Sequence, residues 1–211
     1  KKYTRVPRHG KPDDGGIIAI DPGVRTFATM YDPEGDTIHE IGTSAELTKM
    51  VKPLLDRIDH ERPLLMSQKG TQGEDASRKI KRLGYRVKNL IGDMHRKLAS
   101  MLVNTYEKVI VGSYVADNVK KEKGKKLPRI VNRLDRVWCH GIFKNYLVNL
   151  AFDEEQVVIQ DESWTSKICT QCGSINKQLG GNKRFVCPTC GLDIGRDVNG
   201  AMNILKKCLY F

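Results

Sequence analysis

Two Cys-x-x-Cys pairs, Cys169-Thr170-Gln171-Cys172 and Cys187-Pro188-Thr189-Cys190, constrain this chain more than any other feature. A short basic loop separates them. Each pair sets two sulfurs on one tight knuckle, so four thiolates can converge on a single ion. Thiolates suit zinc, and four of them close a tetrahedral shell with no position left for a substrate, so the sequence predicts a structural zinc ribbon. The other reading, two disulfides, belongs to oxidising compartments, and nothing else in the chain looks secreted. Cys139 and Cys208 stand alone and read as buried thiols.

Close behind the ribbon runs Arg196-Asp197-Val198-Asn199-Gly200-Ala201-Met202-Asn203-Ile204, a helix start that carries one acid. Asp197 there can cap the helix or ligate a metal, and the two roles need not exclude each other. Asn199 and Asn203 lie four residues apart on one helix face, placed to satisfy backbone groups near the site.

Length and charge narrow the class. The 211 residues suffice for one sizeable core and a small metal-stapled module, and 36 Lys+Arg against 25 Asp+Glu give a formal charge of +11. That excess favours polyanions, nucleic acid above all. No apolar run approaches the roughly 20 residues that span a bilayer, so no membrane partner is expected. The sequence opens on Lys1 rather than Met and is read as a piece of a longer protein.

Taken in order, residues 1–16 are basic, then rich in Pro, Gly and Asp, and read as a linker or strand-entry loop. Ile17 to Ile20 is a short apolar run suited to a buried strand, ending on Asp21-Pro22-Gly23. Thr26 to Tyr31 and Thr37 to Ile41 read as strands around an Asp32 to Asp36 turn, which makes a three-stranded meander. A helix is expected over Thr43 to Arg62, a break at Pro63, and a mobile or partner-bound stretch over Ser67 to Ser77. The longest helix follows, with Val87, Leu90, Ile91, Met94, Leu98, Met101 and Leu102 on its apolar face. Its basic residues, from Arg78 to Lys97, are either a solvated face or a nucleic-acid contact. Val109 to Val111 is a second buried strand, ending on Gly112, and Lys120 to Lys126 is a basic loop. Arg129 to Ala151 reads as one amphipathic helix with Leu134, Val137, Trp138, Ile142, Tyr146, Leu147 and Leu150 inward, and Trp138 and His140 as core. Val157 to Ile159 is a third apolar strand, ending on Gln160-Asp161-Glu162. Three strands, helix, strand, helix, strand, helix is the order of an RNase H-like α/β fold, a mixed sheet with flanking helices that gathers acids at its strand tips.

Two-metal hydrolysis of a phosphodiester needs several carboxylates around a pair of magnesium ions about 3.5–4 Å apart. Oxygen ligands suit that hard cation, and strand tips or a helix N-terminus hold them rigidly. Asp21 and Asp197 are two such acids. The expected place for a third is the tip of the Val109 to Val111 strand, and there the chain has Gly112.

Ile18-Ala19-Ile20-Asp21-Pro22-Gly23, Tyr106 to Gly112, Thr165-Ser166-Lys167 with its four cysteines, and Arg196 to Ala201 with Asn203-Ile204 resemble the RuvC nuclease domain of the TnpB/Fanzor family. These are RNA-guided DNA endonucleases related to type V CRISPR effectors. The resemblance covers nearly the whole chain, and its most specific part is the ribbon with Arg196-Asp197-Val198-Asn199-Gly200. TnpB proteins usually carry a glutamate where this chain has Gly112. Fanzor proteins often have Gly or Pro there and use a relocated glutamate just ahead of Thr-Ser-Lys. That position is Glu162 here, so the resemblance points to Fanzor. It implies residues 17–163 as nuclease core, 164–192 as zinc ribbon and 193–211 as the final helix bearing the last catalytic acid. Asp21, Glu162 and Asp197 become the catalytic ligands of magnesium or manganese, with Asp161 and Asp117 as weaker candidates for the third acid. Cys169, Cys172, Cys187 and Cys190 hold zinc. Lys167, Lys183, Arg184 and Arg196 would contact nucleic acid, with Trp164 or Phe185 stacking on bases. The implied partners are a guide RNA, a target DNA and N-terminal recognition domains of the same longer protein. The implied location is a nucleus, the host cell's if the protein is viral.

Gly112 leaves a void at its strand tip. If the Val157 to Ile159 strand lies beside the Val109 to Val111 strand, Glu162 can put its oxygens into the vacated volume. Three other readings follow from parts of the sequence: a catalytically inactive RNase H-like nucleic-acid-binding protein derived from a transposon nuclease, an actin-like ATPase, and a zinc-ribbon transcription factor. The second lacks another glycine-rich phosphate loop, and the third leaves the sheet and its acids unexplained.

Overall fold

The computed structural model describes residues 15–67, 71–114 and 129–210. Most of the expected linker (residues 1–14), the basic loop Lys120 to Lys126 and Asp117 lie outside the described residues. Five strands form the central sheet: β1 (Ile17–Pro22), β2 (Ala28–Asp32), β3 (Thr37–Ile41), β4 (Lys108–Gly112) and β5 (Val157–Gln160). Their order is β3-β2-β1-β4-β5, with β1–β2 and β2–β3 antiparallel and β1–β4 and β4–β5 parallel. The β2–β3 turn closes because Asp32 Oδ1 accepts the backbone N–H groups of Glu34 (3.0 Å) and Gly35 (3.4 Å).

Strand β1 is almost continuously apolar because both of its faces are covered. Ile18 and Ile20 join a core built with α2 (Lys52–Ser67), α3 (Thr71–Thr105), α4 (Arg129–Trp138) and α5 (His140–Leu150). Ala19 and Ile110 face the opposite way and meet Ile204 and Leu205 of α6 (Arg196–Tyr210). This is the mixed α/β sheet with flanking helices that the sequence predicts. The ribbon adds a two-stranded sheet, β6 (Arg184–Val186) and β7 (Asp193–Gly195), around a small core of Cys169, Leu179, Phe185 and Cys187. Among the described residues no helix is long and apolar enough to cross a membrane.

Several expectations need correction. The helix over Thr43 to Arg62 is two helices, α1 (Ser44–Met50) and α2. A capping pair starts α1, in which the Thr43 backbone N–H donates to Glu46 (2.9 Å) and the Glu46 N–H donates to Thr43 Oγ1 (3.5 Å). Buried Val51 then restarts the chain, its carbonyl accepting from Leu54 and Leu55 (both 3.1 Å). Pro63 does not end α2; it is exposed, and Leu54, Leu55 and Ile58 hold the helix in the core.

The stretch expected to be mobile or partner-bound is mostly the start of α3. Gly73 and Ala76 are buried there, so small residues bury this segment, and low apolar content conceals it.

The helix over Arg129 to Ala151 is broken at Cys139, whose φ of 48° is left-handed. The break resets the phase. His140, Phe143 and Leu147 turn inward, while Ile142 is 47% exposed rather than inward. Met101 is also exposed, because it lies on the flank of the stripe formed by Leu98, Ala99 and Leu102.

Candidate active site and metal centre

The sheet brings Asp21 and Glu162 to one edge. Asp21 is the fifth residue of β1. Its neighbour β4 ends on Gly112, which lies opposite Gln160 of β5, and the Ser113 N–H prolongs the ladder to the Gln160 carbonyl (2.8 Å). Glu162 follows two residues later. Its backbone carbonyl accepts from the Thr165 N–H (3.2 Å) and the Thr165 hydroxyl (2.8 Å), which fixes the turn. From that turn the side chain reaches back over Gly112: Glu162 Oε2 lies 2.5 Å from where a Cβ on residue 112 would stand. Pro22 Cδ (2.9 Å) and Ile204 Cδ1 (3.2 Å) close the same space. Real Cβ atoms essentially never sit so close to another atom, so a side chain on residue 112 would have to displace the Glu162 carboxylate and press on Pro22.

The third acid arrives on α6. Asp197 lies in its first turn, one residue after the helix begins at Arg196, and so is not the cap. One turn further on, Gly200 lets the Asp21 carboxylate approach the helix, since a Cβ there would collide with Asp21 Oδ2. An interior helix glycine costs about 1 kcal/mol relative to alanine, and that cost is the sequence signal by which this contact could have been found.

Electrostatics agree with the geometry. Burial, then the charges of Asp197 and Glu162, push the Asp21 carboxyl well above the usual carboxylate range, against the opposing charge of Arg196. Burial also raises Glu162, opposed by the Tyr114 backbone N–H and the Lys144 ammonium. Glu162 Oε2 is buried with no hydrogen-bond partner. Two carboxyls destabilised by burial, one of them also by its acidic neighbours and the other with an oxygen left unpaired, suit a hard cation. The three acids share one region but do not close as tightly as the cysteines. Among the described residues, the cysteine quartet is the group of three or more metal-ligating side chains whose ligand atoms all lie within 4.8 Å of one another.

In that quartet Cys169 and Cys187 are buried while Cys172 and Cys190 are exposed. Sγ atoms of Cys169 and Cys190 lie 3.6 Å apart, and those of Cys172 and Cys187 3.5 Å apart. The Cys190 backbone N–H and the Ser174 hydroxyl hold the Cys187 thiol down to about 5, favouring the thiolate a metal needs. The four sulfurs could hold a metal such as zinc.

The ribbon is tied to the acid-bearing helix. Asn199 and Asn203 donate to the carbonyls of Thr165 (3.3 and 2.7 Å) and Ile168 (2.8 and 2.7 Å), and Asn199 Oδ1 accepts the Thr170 N–H (3.0 Å). Arg196 reaches the Gly180 carbonyl (3.2 Å) and Ser166 Oγ (3.5 Å). Arg25, in the loop after β1, reaches the Gly181 carbonyl (3.4 Å). A cleft of about 250 Å³ beside Asp197 is lined by Arg25, Thr26, Glu40, Lys183 and Arg196 among others.

Of the basic residues expected to meet nucleic acid, Lys183 and Arg196 therefore stand beside the acids. Arg184 instead pairs with Asp193 (2.8 Å), and the Lys167 ammonium sits over the Trp164 ring, 5.3 Å from its centroid. A stacking role for Phe185 is excluded by its complete burial in the ribbon core; Trp164, 56% exposed, keeps an open face. Asp161 is an exposed partner of Lys207 (2.5 Å) and is displaced as an alternative third acid. Lys144, which donates to the Ser113 carbonyl beside Glu162, was not singled out by sequence, because a lysine inside an amphipathic helix carries no local signal.

The mixed sheet with its flanking helices and the cysteine-rich module make up one α/β architecture. The probable transposase family of the IS605 OrfB type matches residues 3–138, and the Cas12f1-like TNB domain matches residues 140–204. This chain belongs to the TnpB-like IS605 transposase family. A TnpB-like protein of Acanthamoeba polyphaga mimivirus is 31% identical over 203 residues, 95% of this chain and 39% of that protein. A putative RNA-guided DNA endonuclease of Streptomyces pristinaespiralis is 28% identical over 201 residues, 94% of this chain and 46% of that protein. The chain thus spans less than half the length of these curated relatives. A Cas12f1 chain from a complex with single guide RNA and target DNA shares the fold, with a TM-score of 0.64 at 21% identity, over 94% of this chain and 51% of that one.

Proposed function

We propose that this chain is the nuclease part of an RNA-guided DNA endonuclease that hydrolyses DNA phosphodiester bonds with Asp21, Glu162 and Asp197 as ligands for magnesium or manganese. The observation that carries the reading is the Glu162 carboxylate standing in the side-chain volume of Gly112, so that three acids from β1, the β5 exit and α6 serve one edge of the sheet. Two-metal magnesium bound by them would supply an activated water and stabilise the leaving oxygen. The chain's own contribution is positional. Gly112 and Gly200 admit the carboxylates, Thr165 fixes the Glu162 turn, and Asn199 and Asn203 set α6 against the ribbon. Lys183 and Arg196 add positive charge beside Asp197, where a phosphate of the strand would lie.

Zinc in the four cysteines fits their spacing and would lock the ribbon to α6. The void at Gly112 filled from Glu162 supports the Fanzor branch within the family. A guide RNA and a target DNA are the partners this reading requires, with recognition domains elsewhere in a longer protein. Unpaired ribbon thiols fit a reducing compartment, and the Fanzor branch would put it in a nucleus. The test is cleavage of labelled DNA by the guide-loaded, full-length protein in magnesium. Asp21→Asn and Glu162→Gln should each abolish it while leaving the fold intact. Full cleavage by Glu162→Gln would remove the relocated acid from the mechanism.

A further inference from the structure

The outward face of α3 is a second charged surface that the acids do not use. Between Asp75 and Asp93 the sequence carries no acid, yet it holds Arg78, Lys79, Lys81, Arg82, Arg86 and Lys88. The cations at either end are neutralised: Arg78 pairs with Asp75 (2.7 Å), Lys79 with Glu61 (3.6 Å), and Lys97 with Asp93 (2.7 Å). Lys81, Arg82, Arg86 and Lys88 are exposed, and among the described residues none of them has an ion pair. With 3.6 residues per turn, Lys81 and Lys88 fall on one flank of this face and Arg82 and Arg86 on the other. Between the flanks projects Tyr85, 65% exposed, while Leu83 and Val87 turn into the core.

We infer that this face of α3 grips the sugar-phosphate backbone of a nucleic-acid duplex, independently of sequence. At about 1.5 Å per residue the row from Lys81 to Lys88 spans roughly 10 Å, about three phosphate steps along one strand. Cations on two flanks of a rigid rod suit two strands bordering a groove, and the Tyr85 hydroxyl can donate to a phosphate between them. A membrane surface fits poorly, because the face offers Tyr85 as its one large side chain with apolar area to insert. The core formed with Ile18 and Ile20 places α3 on the sheet face away from α6, so the duplex held here is not the stretch of strand being cut at Asp197. The inference stands on charge and geometry and does not need the acids to be catalytic.

The experiment measures binding of the full chain to a fluorescent 20-base-pair duplex of arbitrary sequence, without added magnesium, across a series of salt concentrations. Each phosphate contact contributes about −0.9 to the slope of log K against log salt. The triple variant Lys81→Gln/Arg82→Gln/Lys88→Gln should lose between two and three units of slope, by this rule. Lys97→Gln, whose cation is already paired, should leave the slope unchanged, and circular dichroism should report the same fold for both. An unchanged slope in the triple variant overturns the inference. So does an equal loss for a single strand of the same length, or displacement of the duplex by polyglutamate at equal charge.

Discussion

The carboxylate of Glu162 stands where a side chain on residue 112 would have to go, with Oε2 2.5 Å from the Cβ position of Gly112. The two residues lie on adjacent parallel strands, β4 ending at Gly112 and the β5 exit carrying Glu162, so one strand tip has supplied the acid and its neighbour the room. Gly112→Ala should therefore displace the carboxylate and abolish cleavage, at a stability cost of about 1–3 kcal/mol for overpacking. The exchange is the sharper experiment. Glu162→Gly should be inactive, and adding Gly112→Glu to it should restore measurable magnesium-dependent cleavage, because the acid then rises from the adjacent tip into the same volume. No recovery in the double variant would show that the position, and not just the charge, is indispensable.

Gly200 plays the corresponding part for Asp21. In an exposed helix, Gly200→Ala would stabilise by about 1 kcal/mol. Here the new methyl meets Asp21 Oδ2, so that gain is offset and the carboxylate is pushed away from Asp197. Cleavage should fall by on the order of 100-fold, as expected for a misplaced catalytic group. The melting temperature should change little. A melting temperature raised without loss of cleavage would mean that Asp21 can shift without consequence.

The two asparagines of α6 predict a non-additive stability effect. The Thr165 and Ile168 carbonyls each accept from both amides, so either single variant leaves one donor in place. Asn203→Ala should cost about 1 kcal/mol, and Asn199→Ala more, because it also orphans the Thr170 N–H. The double variant should lose more than the sum of the two, measured by urea unfolding. Simple additivity would argue that water replaces the amides.

Acid should weaken the fold through two buried imidazoles. Phe27 is stacked between His140 (4.9 Å, 3° between planes) and His95 (5.1 Å, 25°), and burial depresses both imidazoles to about 4. A histidine that stays neutral when folded but takes up a proton near its ordinary value when unfolded contributes stability that is complete above about pH 6.5. That contribution falls away as pH drops toward 4, by on the order of 3 kcal/mol per histidine. Urea midpoints measured from pH 7.5 to 4.5 should fall across this window, and His95→Leu should make the decline shallower. The raised Asp21 and Glu162 carboxyls gain stability over the same fall in pH, so the decisive quantity is the difference between the two profiles. Identical profiles for the parent chain and His95→Leu would show that His95 is not held neutral. His140 also donates from Nε2 to the Gly23 carbonyl (3.0 Å), and Trp138 Nε1 to that of Val24 (2.8 Å), which ties this aromatic cluster to the loop directly after Asp21.

Much of the sheet was legible because its signals are local. An apolar run ending on Asp21-Pro22-Gly23, an Asp-rich turn, and strand residues closing on Gly112 each follow from short stretches. Glu162 was singled out by the resemblance to the Fanzor pattern, and the missing side chain at Gly112 gave its carboxylate a volume to fill. The helix breaks were not legible. Val51 and Cys139 are neither glycine nor proline, and the left-handed turn at Cys139 is imposed by packing Trp138 and His140 on Phe27 from opposite sides of the break. The start of α3 escaped because Gly73 and Ala76 bury surface without adding apolar side chains. Gly200 was visible as a residue, but its purpose depends on Asp21, far away in sequence.

The most direct measurement is the anomalous signal of manganese soaked into crystals of this chain. The account predicts one or two manganese ions within ligand distance of carboxylate oxygens from Asp21, Glu162 and Asp197 together. Manganese held by Asp21 and Asp197 alone, with Glu162 turned to another partner, would contradict it.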